Sequence, residues 1–371
     1  MVVKGAGAKA FCAGGDVAAL ADDAASGPAG QARSAAFFAR EYRLNHLIAT
    51  YAKPYVALLD GITMGGGVGL ALHAPFRVAT ERTLLAMPEA AIGFFPDVGA
   101  SFFLPRLDGE LGAYLALTGA RVAGAHALLA GLATHYLHSS ALADAEARLA
   151  ELRFADGASL AARCAVVDAT LEEFVSGLPA GAAAANPLAG ATRAAIDRCF
   201  AHDTVEPILA ALLREDTEWA ASTKAAIEAR SPTSVRVALR QVRLGRGWDI
   251  ATAFQREHLL ALKFMAHPDF VAGVRATLTK GAPPAQWAPA TLADTPESVV
   301  DEFFAIEEGG WRLPLLRQGA EPYMQYPHAH FGLPAEQRIK EAVQSQLLTE
   351  RDVVELFVDR AHGKMGVREK V

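Results

Sequence analysis

Cysteine is scarce. The 371-residue chain has three, Cys12, Cys164 and Cys199, widely spaced and without a C-x-x-C. That argues against a disulfide scaffold and a structural zinc site, and favours a reducing compartment. An excess of basic charge is missing too: 35 Lys and Arg stand against 41 Asp and Glu, a net charge of −6. There is therefore no overall pull toward nucleic acid, although a small acidic ligand could still meet a local basic patch. No apolar run approaches the roughly 20 residues of a membrane helix. Nor is there a charged leader with an apolar centre, so the expectation is a cytoplasmic protein of bacterial type, off the membrane. The P-loop pattern G-x-x-x-x-G-K-[ST] is absent. So is G-x-S-x-G: Ser101 stands in Gly99-Ala-Ser-Phe-Phe103 with no glycine two positions on, which argues against a serine thioesterase of the α/β-hydrolase type.

What is present is apolar bulk and glycine. At 52% hydrophobic and 20% charged residues, the chain can bury a large core in one big domain or two ordinary ones. Val2-Val3 reads as a strand from the outset. A domain rarely opens mid-strand, so either the chain is compact here or its start codon was assigned inside the gene. Gly5-Ala-Gly7-Ala-Lys-Ala10 nearly matches the dinucleotide fingerprint. It continues as Phe11-Cys-Ala-Gly-Gly-Asp16 rather than a helix, so a plain glycine loop is the better reading. Residues 17–30 are small and polar with Gly27-Pro28, a surface loop. A helix is predicted over 32–50, ended by Lys53-Pro54. Tyr55-Val-Ala-Leu-Leu59 and Phe76-Arg-Val-Ala79 read as strands around a short helix, Gly67 to His73. This alternation predicts an α/β domain. From Glu110 the chain turns helical, with periodic stretches over 204–230, 232–244 and 249–266. Residues 281–296 read as a Pro- and Ala-rich strap, and 335–362 as one or two charged amphipathic helices.

Two glycine clusters and two carboxylates draw attention as chemistry. Gly14-Gly15 and Gly65-Gly66-Gly67 each follow a strand. Either cluster alone fits a tight turn; together they could aim two backbone N–H groups at one oxygen. Glu89 follows Met87-Pro88 and Asp97 follows Pro96, each among apolar residues. Glu89 could sit in the first turn of a helix, and Asp97 could cap a helix over 98–107. If buried instead, their pKa values would rise into the range of acid–base work near neutral pH. His328 and His330, beside Pro327, lack a third metal ligand and read as loop residues. Arg236, Arg240, Arg243 and Arg246 lie on one side of a helix and read as a solvated face.

Val2-Val-Lys-Gly-Ala-Gly-Ala-Lys-Ala-Phe-Cys-Ala-Gly-Gly-Asp16, Gly61-Ile-Thr-Met-Gly-Gly-Gly-Val-Gly69 and Met87-Pro-Glu-Ala-Ala-Ile-Gly-Phe-Phe-Pro-Asp-Val98 together resemble the crotonase (enoyl-CoA hydratase/isomerase) superfamily. Within it the nearest likeness is to the 3-hydroxyisobutyryl-CoA hydrolases. The likeness runs to about residue 300 and includes Ser231-Pro-Thr-Ser234 and Phe270-Val-Ala-Gly-Val-Arg-Ala276. The resemblance implies a superhelix of β-β-α turns, two sheets with C-terminal helices over the active site, its first turn absent here. It divides the chain into a catalytic core over 1–200, a helical region over 201–300 and a tail over 301–371 of unassigned role. It implies an oxyanion hole of the Gly15 and Gly66 N–H groups, catalytic carboxylates at Glu89 and Asp97, and substrate binding by Glu41 together with Gly66, Glu89 and Asp97. The relatives that hydrate double bonds carry a second glutamate where this chain has Gly69, and glycine where it has Asp97. The implied activity is hydrolysis of a short 3-hydroxyacyl-CoA thioester of the valine-degradation type. CoA belongs to the substrate, and no metal or other cofactor is expected; nucleic acid and membrane are not expected partners, and a homo-oligomer is compatible. The alternatives are an enoyl-CoA hydratase or isomerase, or a truncated, inactive crotonase-fold protein acting through subunit contacts.

Overall fold

The computed structural model describes residues 1–306, 312–317, 319, 321–346 and 348–371. Its first half is a stack of turns that feed two four-stranded sheets alternately. Strand β1 (Val2–Lys4), β3 (Val56–Leu59), β5 (Phe76–Ala79) and β8 (His135–Tyr136) form one sheet, parallel throughout. Strands β2 (Ala10–Cys12), β4 (Ile62–Met64), β6 (Leu84–Ala86) and β7 (Val122–Ala123) form the other, with only the β6–β7 pair antiparallel. The first six strands go alternately to the two sheets, so each turn adds one rung to both, and the order reverses at the end, where β7 joins the second sheet and β8 the first. Because side chains alternate along a strand, β3 serves two cores. Ala57 and Leu59 join the main one, while Val56 and Leu58 face a second, smaller one. All four are buried, which explains the unbroken apolar run.

Helices close the turns. Between β2 and β3 lie α1 (Val17–Ala25) and α2 (Pro28–Ala49); α3 (Gly66–Ala71) links β4 to β5. After β6 come α4 (Ala100–Phe103) and α5 (Leu111–Thr118), and α6 (Ala125–Leu129) precedes β8. Helices α7 (Leu142–Glu151) and α8 (Leu160–Glu172) cover the smaller core. The C-terminal helices are α9 (Gly190–Cys199), α10 (Val205–Glu215), α11 (Glu218–Glu228), α12 (Pro232–Gly245), α13 (Ile250–Ala266), α14 (Pro268–Leu278) and α15 (Glu297–Phe304). Of these, α13 packs along α2 and α14 against α1, bringing the helical region onto the glycine-loop end of the sheets. No helix among the described residues is long and apolar enough to cross a membrane.

The tail holds α16 (Glu336–Gln346), α17 (Glu350–Arg360) and α18 (Val367–Lys370), with a small apolar cluster of Ala342, Val353, Phe357 and Val367. It is fastened to the body by side chains: Tyr326 Oη donates to His73 O at 2.8 Å, Glu336 pairs with Arg193 at 2.6 Å, and Lys370 with Asp108 at 2.6 Å.

Several sequence expectations are corrected. Residues 17–30 are not a surface loop: Asp16 caps α1 by accepting from Ala19 N at 3.1 Å, and Leu20, Ala21 and Ala24 bury against neighbouring helices. Helix α2 begins at Pro28, a favoured first-turn residue, rather than near 32. The stretch 204–230 is two helices, broken at Asp216 (φ 50°) and restarted by the Thr217 cap. Residues 98–107 are α4 plus a 3-10 turn (Leu104–Arg106), and Asp97 does not cap α4 with its side chain. The arginine row on α12 is no solvated face. Arg236 bonds Glu206 and Glu297, Arg240 bonds Glu297 and Asp301, and Arg243 and Arg246 converge on Glu110. These pairs tie α12 to α10, α15 and the segment before α5.

Candidate active site

Strands β2 and β4 are neighbours running parallel, so the glycine loops at their ends lie side by side. A β-carbon on Gly14 would stand 3.5 Å from Gly66 N. The N–H groups of Gly15 and Gly66 meet no protein acceptor among the described residues. Gly66 opens α3, where the backbone N–H is free by geometry. A β-carbon there would come within 2.4 Å of Glu41 Oε1, so a side chain at this position would push the Glu41 carboxylate aside.

Three carboxylates converge on the same place. Glu41 comes from the middle of α2, Glu89 opens the 3-10 turn Glu89–Ile92 behind Pro88, and Asp97 follows Pro96. With Gly15 and Gly66 they line one cavity of about 190 Å³, walled by Phe37, Phe38, Phe94 and Phe270. Glu89 is 5% and Asp97 4% exposed. Gly15, Glu41, Gly66, Glu89 and Asp97 therefore lie at one site.

Burial in an apolar wall disfavours charge. Burial, then the neighbouring Asp97, pushes Glu41 up to about 8. Glu89 is driven well above the ordinary carboxylate range by burial first and Asp97 second, and its Oε2 has no hydrogen-bond partner. Burial also raises Asp97, to about 7, but the Tyr42 hydroxyl pulls the other way by donating to Oδ2 at 2.7 Å. Among crowded acids of this kind protons are shared. The asymmetry of partners favours charge on Asp97 and a proton on Glu89.

Sequence reasoning missed Tyr42, Gln241 and Glu257, whose contacts to the Asp97 segment span 55, 145 and 156–158 residues. A signal existed for Glu257: an acid at a buried position of α13, three residues from Phe254 and from Leu260. Position 69 is sealed. A β-carbon there would meet Val98 Cβ at 2.5 Å and Asn45 Nδ2 at 2.9 Å.

Elsewhere, His328 stacks on Phe331 beside a 3-10 turn, Ala329–Phe331. Among the described residues one group has metal-ligand spacing, His135, Asp168 and Glu172. The Lys364 ammonium lies among these three, 3.1 Å from His135 Nε2 and paired with Glu172. The Gly5–Gly7 loop is followed by β2, not by a helix.

Comparison with known proteins matches residues 1–304 to the enoyl-CoA hydratase/isomerase family. The small ribosomal subunit protein mS47 of Neurospora crassa is 51% identical over all of this chain and 75% of its own length. The mitochondrial 3-hydroxyisobutyryl-CoA hydrolase of Danio rerio is 42% identical over 82% of this chain and 77% of its own. Among solved structures, a carnitinyl-CoA dehydratase from Mycobacterium thermoresistibile superposes with a TM-score of 0.74 at 36% identity, covering 85% of each chain.

Proposed function

The chain belongs to the enoyl-CoA hydratase/isomerase family, and from that premise we propose that it hydrolyses a short-chain 3-hydroxyacyl-CoA thioester. The substrate proposed is 3-hydroxyisobutyryl-CoA, giving 3-hydroxyisobutyrate and CoA, a step of valine catabolism. One observation carries the reading: Asp97 and Glu89 face the Gly15–Gly66 pair across one buried cavity, while position 69 is closed to any side chain. Hydration needs two acid–base groups about the β-carbon. Thioester cleavage needs a nucleophile or base at the carbonyl and a proton donor for the leaving sulfur.

In the proposed reaction the thioester oxygen sits between the N–H groups of Gly15 and Gly66. As the carbonyl carbon becomes tetrahedral, negative charge collects on that oxygen, and each preorganised donor contributes roughly 10²–10³ in rate. Asp97 takes over the proton of Glu89. The freed Glu89 carboxylate then attacks the carbonyl carbon to give a mixed anhydride, later hydrolysed, or draws a proton from an attacking water. When the C–S bond breaks, its electron pair leaves on sulfur and Asp97 returns the proton to form the free thiol. Glu41, against Gly66, binds the 3-hydroxyl side. No metal or redox cofactor enters this scheme.

The test is thiol release from 3-hydroxyisobutyryl-CoA by wild type and Glu89→Gln. Wild type is expected to release thiol, and the variant to lose about 10²–10⁴ in rate. No release by folded wild-type protein sinks the hydrolase reading. Loss of crotonyl-CoA absorbance instead would favour hydration.

A second reading, not exclusive of the first, is a role as a component of a small ribosomal subunit. The likeness to mS47 covers the whole chain, tail included, whereas the Danio rerio hydrolase covers 82% of it. The net charge of −6 speaks for protein contacts rather than RNA in that setting. Co-sedimentation with small subunits tests it.

A further inference from the structure

The segment from Pro96 to Ser101 carries Asp97 and is held in a conformation it would not choose alone. Val98 has φ 54°, a left-handed backbone that a β-branched residue rarely adopts, and Gly99 follows at φ 90°. Three separate elements grip it. Glu257 on α13 accepts from Gly99 N at 2.6 Å through Oε2, and from Ser101 N at 2.8 Å and Ser101 Oγ at 2.6 Å through Oε1. His73, just beyond α3, contacts Val98 O at 2.8 Å through Nε2. Gln241 on α12 donates to Pro96 O at 2.7 Å. The Glu257 side chain is fully buried and has no basic partner among the described residues, an arrangement tolerated only where its hydrogen bonds are well made.

We propose that Glu257 is a positioning residue that, with Gln241 and His73, holds the strained Pro96–Ser101 segment so that Asp97 reaches the Tyr42 hydroxyl and faces Glu89 across the cavity. The proposal rests on the hydrolase reading for its kinetic consequence but not for its geometric one. Without the Glu257 acceptor, Gly99 and Ser101 lose their anchor, Val98 relaxes to negative φ, and the Asp97 carboxylate swings off Tyr42. Substrate binding, which falls to Glu41 and the cavity wall, stays as it was.

The experiment pairs kinetics with crystal structures for wild type, Glu257→Gln and Gln241→Met. Glu257→Gln keeps the shape, so folding is retained; its amide supplies one acceptor where the carboxylate supplied two. A displacement of about 1 Å costs up to roughly 10² in rate. The expected result is kcat lower by about 10- to 100-fold with KM unchanged, the pattern of a group acting only in the chemical step. The crystal structure of the variant should show Val98 at negative φ and the Tyr42–Asp97 hydrogen bond broken. Unchanged kcat with a lowered melting temperature overturns the proposal, because a merely structural residue behaves that way. If wild type releases no thiol, the hydrolase reading fails and the geometric arm still decides: an intact Tyr42–Asp97 bond in Glu257→Gln overturns the proposal, and a broken one sustains it.

Discussion

Replacing Tyr42 by phenylalanine removes one oxygen from the site and nothing else. Tyr42 is wholly buried on α2, its ring packed between Phe38 and Phe254, and its hydroxyl donates to Asp97 Oδ2 at 2.7 Å. Its own pKa is pushed well above the usual value by burial and then by Asp97, so it stays a donor across the accessible pH range. A hydrogen bond to a charged group is worth about 1.5–3 kcal/mol, and one pH unit corresponds to about 1.4 kcal/mol. Losing the bond therefore shifts any titration step that must ionise Asp97 upward by about 1–2 units. The direction for the reaction follows from the shared proton. In the proposed scheme the active enzyme holds one proton between Glu89 and Asp97. Removing that proton leaves two carboxylates and always charges Asp97, so this alkaline step takes the full shift. Adding a second proton starts from a state that can place its charge on Glu89, so the acid step moves less. Tyr42→Phe should thus keep its activity to higher pH than wild type, whatever its rate at the optimum. The assay is the pH profile of kcat/KM for thiol release, from about pH 5 to pH 10. An alkaline limb that stays in place or moves down refutes the shared-proton scheme.

Two further outcomes follow from the same geometry. Gly69→Ala forces a β-carbon against Val98 and should destabilise the protein by about 1–3 kcal/mol in urea unfolding. Gly69→Glu should not create hydration of crotonyl-CoA, and a gain of that activity would overturn the sealing argument. Stability should also fall as pH rises. Glu41 and Asp97 titrate in the folded state near 8 and 7, above their ordinary values, chiefly through burial. When both states are protonated there is no penalty; above the ordinary carboxylate pKa the unfolded chain ionises freely while the native state cannot. The urea midpoint should drop between about pH 4 and pH 8, less steeply for Asp97→Asn, and a flat midpoint would count against these shifts.

The parts of the site legible in the sequence are those made by short stretches. Glycine loops at strand ends and acids behind prolines are local patterns. They predict Gly15, Gly66, Glu89 and Asp97 as candidates before any partner is known. Glu41 needed the family resemblance, because nothing around it on α2 distinguishes it from a solvated acid. Tyr42, Gln241 and Glu257 stayed hidden for a different reason. Their roles exist only through contacts across 55 or more residues, which no window of sequence contains. The arginines of α12 show the same limit: helical spacing placed them on one face but could not supply Glu110, Glu206, Glu297 and Asp301 opposite. Helix α1 was lost to its composition, since alanine and aspartate beside Gly27-Pro28 read equally well as a loop until Leu20 finds its neighbours.

The acids also bear on the choice between a working enzyme and a protein kept only for its surface. Three carboxylates in a cavity of about 190 Å³, with a fourth at Glu257 beneath them, oppose folding at neutral pH. Each must hold a proton or carry charge in an apolar wall. Strain at Val98 adds to that burden, at order 1–3 kcal/mol for such a backbone. None of these features strengthens the core. Glu89 Oε2 finds no partner, and Asp97 meets Tyr42 rather than a cation. In a scaffold that served only to present α16, α17 and the outer helices to a partner, apolar or amide residues at 41, 89 and 97 would be more stable. Such substitutions would leave the exterior unchanged. A mutually repelling, well-oriented trio, two of its members buried and Glu41 half-buried, beside two unpaired N–H groups makes physical sense where proton sharing is the work performed. On the proposed ribosomal reading, contacts therefore belong to the tail and the outer surface, and the cavity is left to the proposed thioester hydrolysis.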